Sequence, residues 1–305
     1  MSEVEQAASL IKAGKLVVFP TETVYGLGAN ALMDSAVAEI YALKNRPTFN
    51  PLIAHVTGKE MASQIVEITP LAEKLMDVFW PAPLTLVLKR KGTVSLLATA
   101  GLDTLAVRMP NHPLALELIE KSGVPIVAPS ANASGTISPT TAQHVRDSFK
   151  EKTPFILDGG PCSIGVESTI LLMTEKVPVV LRYGGLAVED IEKVIGPVAR
   201  QENDPLLPRS PGQLKSHYAP SIPLRMNATE FKENEAILGF GNVSNATLNL
   251  SPEGNLKEAA AHLFAMMHEL DKPGKYTGIA VMPIPLKGLG LAINDRLKRA
   301  AAPKA

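Results

Sequence analysis

Lys44 and Arg46 place two cations two residues apart at the end of a helical pattern, and Ser130 and Asn132 place two short polar side chains just past an apolar run. Ammonium and guanidinium groups offset the charge of oxyanions, and hydroxyl and amide groups donate to them, so together these segments read as a phosphate site. Two more polar clusters, Pro20-Thr-Glu-Thr-Val-Tyr-Gly and Gly165-Val-Glu-Ser-Thr, stand at the ends of apolar strands. Open α/β sheets hold their ligands at such strand ends, and an enzyme is expected.

The common nucleotide and metal signatures do not account for these residues. Gly26-Leu-Gly-Ala-Asn-Ala31 fits a loose dinucleotide fingerprint, but Pro20-Thr-Glu-Thr separates it from its strand and no acidic residue follows at the required distance. A tight turn that presents Thr21, Thr23 and Tyr25 to a ligand is the preferred reading. No Gly-x-x-x-x-Gly-Lys-Ser/Thr occurs, so nucleotide phosphates would need side chains such as Lys44, Arg46, Arg182, Ser130 and Ser138. None of the six histidines has the paired spacing of a zinc site, and no metal ligand set is expected. Cys162 has no local feature that would activate it and reads as a small loop residue.

These residues need elements to hold them. Ser2-x-x-Glu5 is a capping box for a helix ending near Gly14, followed by a strand Leu16 to Phe19. Asp34 is expected to cap a helix Ala36 to Lys44, and Thr69-Pro70 to open one that runs through Phe79. Strands follow at Leu84 to Leu88, Thr104 to Met109 (half-buried), Pro125 to Ala128 and Phe155 to Leu157, with a helix Pro113 to Lys121 stopped by Gly123. Thr169 to Met173 and Val177 to Arg182 are close enough for a hairpin, and Val188 to Ile195 is a helix. A twisted mixed sheet is expected for this α/β domain, 1–200.

Residues 201–223 carry Pro205, Pro208, Pro211, Pro220 and Pro223, which leave no room for a long helix or a central strand, and read as a linker. Beyond it, strands at Ala236 to Phe240 and Ile279 to Met282 and helices at Leu256 to Leu270 and Leu289 to Ala300 predict a smaller, Rossmann-like α/β domain, 224–305. Arg296, Lys298 and Arg299 are assigned to a solvated amphipathic face of the last helix.

With 30 basic and 30 acidic residues in 305, the net charge is zero, and the totals give no support to a general electrostatic hold on nucleic acid. The single cysteine excludes an internal disulfide and fits a reducing compartment. An acidic start, Met1-Ser-Glu-Val-Glu, and apolar runs shorter than the roughly 18–20 residues of a membrane span point to the cytoplasm with no membrane partner.

The ordered set Pro20-Thr-Glu-Thr-Val-Tyr-Gly-Leu, Lys44-x-Arg46, Asn50-Pro-Leu, Phe79-Trp-Pro-Ala-Pro-Leu-Thr, Val107-Arg-Met-Pro, Pro129-Ser-Ala-Asn-Ala-Ser-Gly, Gly165-Val-Glu-Ser-Thr and Leu181-Arg-Tyr-Gly resembles the YrdC-like threonylcarbamoyl-AMP synthases. Ser210-Pro-Gly-Gln-Leu-Lys-Ser-His-Tyr-Ala-Pro220 and the second α/β unit resemble the linker and C-terminal domain of the two-domain form. The resemblance implies synthesis of L-threonylcarbamoyl-AMP and pyrophosphate from L-threonine, bicarbonate or CO2, and ATP, with Mg2+ on the outgoing phosphates. The product then serves modification of the tRNA adenosine next to the anticodon, through a threonylcarbamoyl transferase complex; tRNA binding by this chain itself stays open.

By position the resemblance makes Thr23, His55, Arg108, Ala128 and Ser168 threonine contacts, and Arg46, Asn50, Thr104, Ser130, Asn132, Ser138, Arg182 and Tyr218 ATP contacts. Lys44 and Arg46 are the catalytic cations, and the segment with Tyr218 is a lid. The alternatives are an RNA-binding module and carbamoyl transfer to another acceptor, as in hydrogenase maturation factors.

Overall fold

The computed structural model describes residues 1–201 and 208–303, so Pro205 and the rest of 202–207 in the expected linker lie outside the described residues. The first element, α1 (Glu3–Lys12), has its capping box complete: Ser2 Oγ accepts from Glu5 N at 3.2 Å and Ser2 N donates to Glu5 Oε2 at 2.8 Å. It is followed by β1 (Val17–Phe19), β2 (Gly26–Asn30), α2 (Asp34–Lys44), β3 (Ile53–His55), α3 (Lys59–Ile65) and α4 (Pro70–Phe79). Then come β4 (Leu84–Lys89), β5 (Thr104–Arg108), α5 (Pro113–Ser122), β6 (Ile126–Val127), α6 (Ala142–Phe149), β7 (Phe155–Ile156), β8 (Thr169–Leu172), β9 (Val179–Arg182), α7 (Val188–Ile195) and β10 (Ala199–Arg200).

These strands form one mixed sheet in the order β10-β9-β8-β4-β5-β3-β6-β2-β1-β7. Strand β5 lies between β4, antiparallel, and β3, parallel. The half-buried alternation expected there gives way to burial of Leu105 through Arg108, because a central strand is covered on both faces. Its period of two still operates, but between two cores: Leu105 and Val107 join Leu84, Leu86 and Leu88 on one face, while Ala106 joins Ile53, Val87 and Ile170 on the other.

Two local expectations are corrected. Asp34 is the first residue of α2 rather than its cap; Met33 holds the cap position without a side-chain bond, and Asp34 acts only as a negative charge in the first turn. The glycines of Gly26-Leu-Gly-Ala-Asn-Ala31 do not make a turn. They lie in β2, paired antiparallel with β1, and a Cβ on Gly28 would come within 2.8 Å of the Phe19 ring and 2.9 Å of Ile126 Cγ2. These residues are glycine because an aromatic ring fills the space of a side chain.

A second sheet, all parallel, runs β11 (Leu224–Arg225), β14 (Gly278–Val281), β12 (Glu235–Gly239), β13 (Leu248–Asn249). Helices α8 (Leu256–Leu270) and α9 (Leu289–Ala300) pack on it. Its core is shared with the first unit, since Val24, Ile137 and Val166 join Leu263, Phe264 and Ile293. Backbones approach at Gly165, with φ at 73°, where a Cβ would sit 2.5 Å from the Ala260 carbonyl oxygen and 2.4 Å from that of Ala261. Among the described residues no helix is long and apolar enough to cross a membrane.

Candidate active site

The ends of β1, β3, β5, β6 and β9 and the segment 211–218 converge on one enclosed cavity. Its lining is Thr21, Thr23, Val24, Gly26, Arg46, Ile53, His55, Arg108, Ala128, Pro129, Ser130, Glu167, Arg182, Pro211, Gly212, His217 and Tyr218. At about 50 Å³ it is far smaller than the roughly 300–1,000 Å³ of an ordinary small-molecule pocket. Four of its lining residues, Pro211, Gly212, His217 and Tyr218, come from the Pro-rich segment.

One side of the cavity is a relay of hydroxyls. Arg108 Nη1 donates to Thr23 Oγ1 at 3.0 Å, the Thr23 and Thr21 hydroxyls lie 2.8 Å apart, and Thr21 Oγ1 donates to the Val24 carbonyl at 2.7 Å. Because Thr21 spends its only hydrogen on Val24, the Thr23 hydroxyl must donate to Thr21. Arg108 also makes a 2.6 Å ion contact with Glu22, and both side chains are buried. That contact is not aligned as a hydrogen bond, so Arg108 Nε and Nη2 and both Glu22 carboxylate oxygens remain without a hydrogen-bond partner. Buried polar atoms in this condition are ready to take a ligand. Beside them, burial and the Arg108 charge push the His55 imidazole down to about 3, which keeps it neutral.

The other side is cationic. Asn45, with φ at 50°, ends α2 in a left-handed turn and directs Arg46 inward, where Nε donates to the Asn50 carbonyl at 3.2 Å and Nη2 to the Pro51 carbonyl at 2.9 Å. Burial lowers Arg46 to about 10, so it is still a cation at neutral pH. Arg182 is likewise brought down to about 10 by burial; it donates through Nε to the Ser168 carbonyl at 3.0 Å and through Nη1 to the Pro211 carbonyl at 3.2 Å. Tyr218 sits beside them with φ at 63°, its ring edge-on to His217 and stacked on Phe264.

Of the residues singled out from sequence, Thr23, His55, Arg108, Ala128, Arg46, Ser130, Arg182 and Tyr218 line this one cavity. The others stand behind its wall or away from it. The Lys44 ammonium donates to the carbonyls of Ser130, at 2.6 Å, and Asn132, and burial holds its pKa well below the usual lysine range. Asn132 Nδ2 ties its own loop, donating to the Ala133 and Thr136 carbonyls at 3.0 Å. Ser168 Oγ is 2.7 Å from Thr85 Oγ1 and accepts from Arg182 Nη2 at 3.1 Å, while Ser138 Oγ donates to Glu167 Oε1 at 2.7 Å. The Asn50 side chain is buried with neither end paired. Thr104 begins β5 opposite Lys89, outside the lining.

Two readings are overturned, and one residue gains a role. Tyr25 is not presented to a ligand: its hydroxyl donates to the Gly160 carbonyl at 2.8 Å and lies 3.1 Å from Asp158 Oδ1, well inside the fold. Arg296 is not on a solvated face but fully buried, with Nε donating to Glu167 Oε2 at 2.7 Å. Glu167, placed in a motif but given no role of its own, proves to be a cavity residue. Burial alone would raise its carboxyl, yet Arg296 and Arg182 outweigh that and bring it down to about 2. Cys162 is buried, and burial pushes its thiol up to about 12, in keeping with an inert loop residue.

Comparison with known proteins identifies the family. A family model described as "Telomere recombination" matches residues 9–184, and one described as "Threonylcarbamoyl-AMP synthase, C-terminal domain" matches 186–302. The chain is 45% identical to the threonylcarbamoyl-AMP synthase of Pyrococcus abyssi, over 97% of this chain and 93% of that one. It is 41% identical to that of Bacillus subtilis, over 98% and 93%. The crystal structure of P. abyssi Sua5 complexed with L-threonine superposes with a TM-score of 0.92 at 42% identity, covering 99% of this chain and 95% of that one. The chain belongs to the threonylcarbamoyl-AMP synthase family, in the form that carries the family's C-terminal domain.

Proposed function

We propose that this chain makes L-threonylcarbamoyl-AMP and pyrophosphate from L-threonine, CO2 or bicarbonate, and ATP. The observation that carries the reading is one cavity in which Arg108, its Nε without a partner, faces the buried cations Arg46 and Arg182. The relatives' activity and the L-threonine in the P. abyssi structure support the same assignment.

Arg108 receives the threonine carboxylate through Nε, which has no partner, and through Nη2 as the carboxylate displaces Glu22 from its 2.6 Å contact. Thr23 and neutral His55 orient the amino acid without adding charge, with Ala128 as an apolar wall and Ser168 behind it. The threonine amine, once it has lost a proton, forms an N–C bond to CO2 and yields a carbamate. A carbamate oxygen then forms the bond to the α-phosphorus of ATP as the bond to the leaving pyrophosphate breaks. Such a step depends on alignment and charge compensation more than on covalent help from the protein. Arg46 and Arg182 supply that compensation, and Lys44 fixes the wall carrying Ser130. Mg2+ arrives on the nucleotide phosphates, as part of the substrate. Asn50, Asn132 and Ser138 support the nucleotide side from behind its wall, and Thr104, outside the lining, would reach the nucleotide only once the lid has lifted.

Residues 1–200 are the catalytic domain, 201–223 the lid and 224–305 the C-terminal domain. A cavity of about 50 Å³ cannot admit ATP while Pro211, Gly212, His217 and Tyr218 occupy it, so this lid must lift and re-close with each turnover. Closure keeps water from the labile mixed anhydride. The product goes to a threonylcarbamoyl transferase complex acting on tRNA in the cytoplasm.

The test is pyrophosphate release from ATP and Mg2+, with L-threonine and bicarbonate omitted in turn and serine in place of threonine. Release that needs both supports the reading. Release without threonine indicates a different acceptor, and ATP binding with no release moves the assignment to an RNA-binding module.

A further inference from the structure

The basic end of α9 is used in the interior. Arg296 Nε donates to Glu167 Oε2 at 2.7 Å, Nη2 to the Tyr183 carbonyl at 2.9 Å and Nη1 to Asp295 Oδ2 at 2.7 Å. Its guanidinium carbon lies 5.3 Å from the centroid of the Tyr218 ring. One side chain from the smaller unit thus holds a carboxylate and an aromatic ring that both line the cavity.

Left unpaired, the Glu167 carboxylate would oppose ATP in two ways. Its charge would repel the phosphates in a site from which water is excluded. It would also be drawn to Arg182, which lines the same cavity and is already the second charge that keeps it ionised. Arg182 would then be lost to the nucleotide.

We propose that Arg296 is a positioning residue for ATP: by taking up Glu167 it keeps that carboxylate from neutralising Arg182, whose charge then serves the triphosphate, and it props Tyr218 against the cavity. The proposal rests on the synthase reading above. It gives the C-terminal domain a direct part in substrate binding, since a group of the second unit sets the charge of the first unit's pocket.

The experiment uses the full-length protein as wild type, Arg296→Met, Glu167→Gln and the double variant. ATP binding is followed by calorimetry, and KM for ATP and for L-threonine by pyrophosphate release. Breaking a buried charge pair on one side should weaken ATP by about tenfold or more in Arg296→Met, with KM for L-threonine within about twofold of wild type. Glu167→Gln in the same chain should recover most of that loss, because no unpaired charge remains. Wild-type ATP affinity in Arg296→Met, or a double variant no tighter than the single one, overturns the proposal. Should Arg296→Met fail to fold, the double variant decides. If it folds and binds ATP near wild-type affinity the proposal stands, and if it is unfolded or blind to ATP the proposal falls. A wild-type protein that binds ATP but releases no pyrophosphate refutes the synthase reading, while the binding comparison still judges Arg296.

Discussion

The Lys44 ammonium donates to the Ser130 carbonyl at 2.6 Å and to the Asn132 carbonyl beside it. The two segments that look like a joint phosphate site are therefore tied to each other, with the lysine serving as a strap inside the wall and Arg46 as the group in the cavity.

Removing that strap with Lys44→Met leaves the Asn132 carbonyl without a donor, at about 1–3 kcal/mol, and the Ser130 carbonyl with only the Asn132 N–H at 3.1 Å. We expect a clear fall in Tm together with loss of ATP binding. Lys44→Arg should not restore either, because a planar fork does not fit a site shaped for a compact ammonium. Thermal unfolding and calorimetry check this; an unchanged Tm in Lys44→Met would remove the strap.

Arg46→Ala separates the two halves of the cavity. The variant loses a cation from the nucleotide side, and ATP affinity should drop about tenfold or more, as for other charged hydrogen-bonding groups. L-Threonine binding, which depends on Arg108 and Thr23 at the opposite side, should change by less than about threefold. Parallel titrations with the two ligands measure it, and equal losses for both would show that Arg46 only supports the fold.

Stability should fall on acidification. Burial holds the folded-state His55 and His217 at about 3, against an ordinary 6.5 in the unfolded chain. The unfolded state therefore binds protons first, so this stability is complete above about pH 6.5 and is lost as pH falls toward 3. The slope reaches about 1.4 kcal/mol per pH unit for each histidine. Glu167, depressed from 4.5 to about 2, contributes stability present above 4.5 and lost as pH falls toward 2. Urea midpoints at pH 7, 6 and 5 test the first window, and His217→Asn should flatten the decline.

Gly28→Ala places a methyl group within 2.8 Å of the Phe19 ring and 2.9 Å of Ile126. Forcing a methyl into a filled core costs about 1–3 kcal/mol, so the denaturant midpoint should fall with little change in the slope. An unaffected midpoint would mean that the Phe19 ring moves aside freely.

Much of the chain is legible because its local signals agree. The helices Leu256–Leu270 and Leu289–Ala300 and the Ser2 capping box appear where the sequence puts them, since periodicity and caps act within a few residues. Helices α3 and α6 escape notice: they are short and carry few large apolar residues, whereas the equally short Val188–Ile195 shows Val188, Ile191, Val194 and Ile195 at helical spacing. The strand nature of Gly26–Asn30 is hidden because its glycines answer to Phe19, a long-range cause that a turn-like composition masks. Cavity residues with a positive or hydroxyl character can be picked out by type. The roles of Glu167 and Arg296 cannot, because their pairing spans 129 positions and only folding brings them together.

Gly165 pressed against the Ala260 and Ala261 carbonyls has a mechanical consequence. Backbone meets backbone there, with no side chain able to slide or change rotamer, and the adjoining core is shared by both units. Swinging the units apart would open a buried apolar seam at every catalytic cycle. Peeling back the segment from Pro211 to Tyr218 breaks the bonds from Arg182 to Pro211, from Arg299 to Leu214 and from His217 N to the Arg299 carbonyl, and unstacks Tyr218 from Phe264, while the backbone contact at Gly165 stays closed. The C-terminal unit is thus an anchor post: it stays fixed while the strap tied to it slackens and tightens, and the length of that strap governs how far the gate can travel.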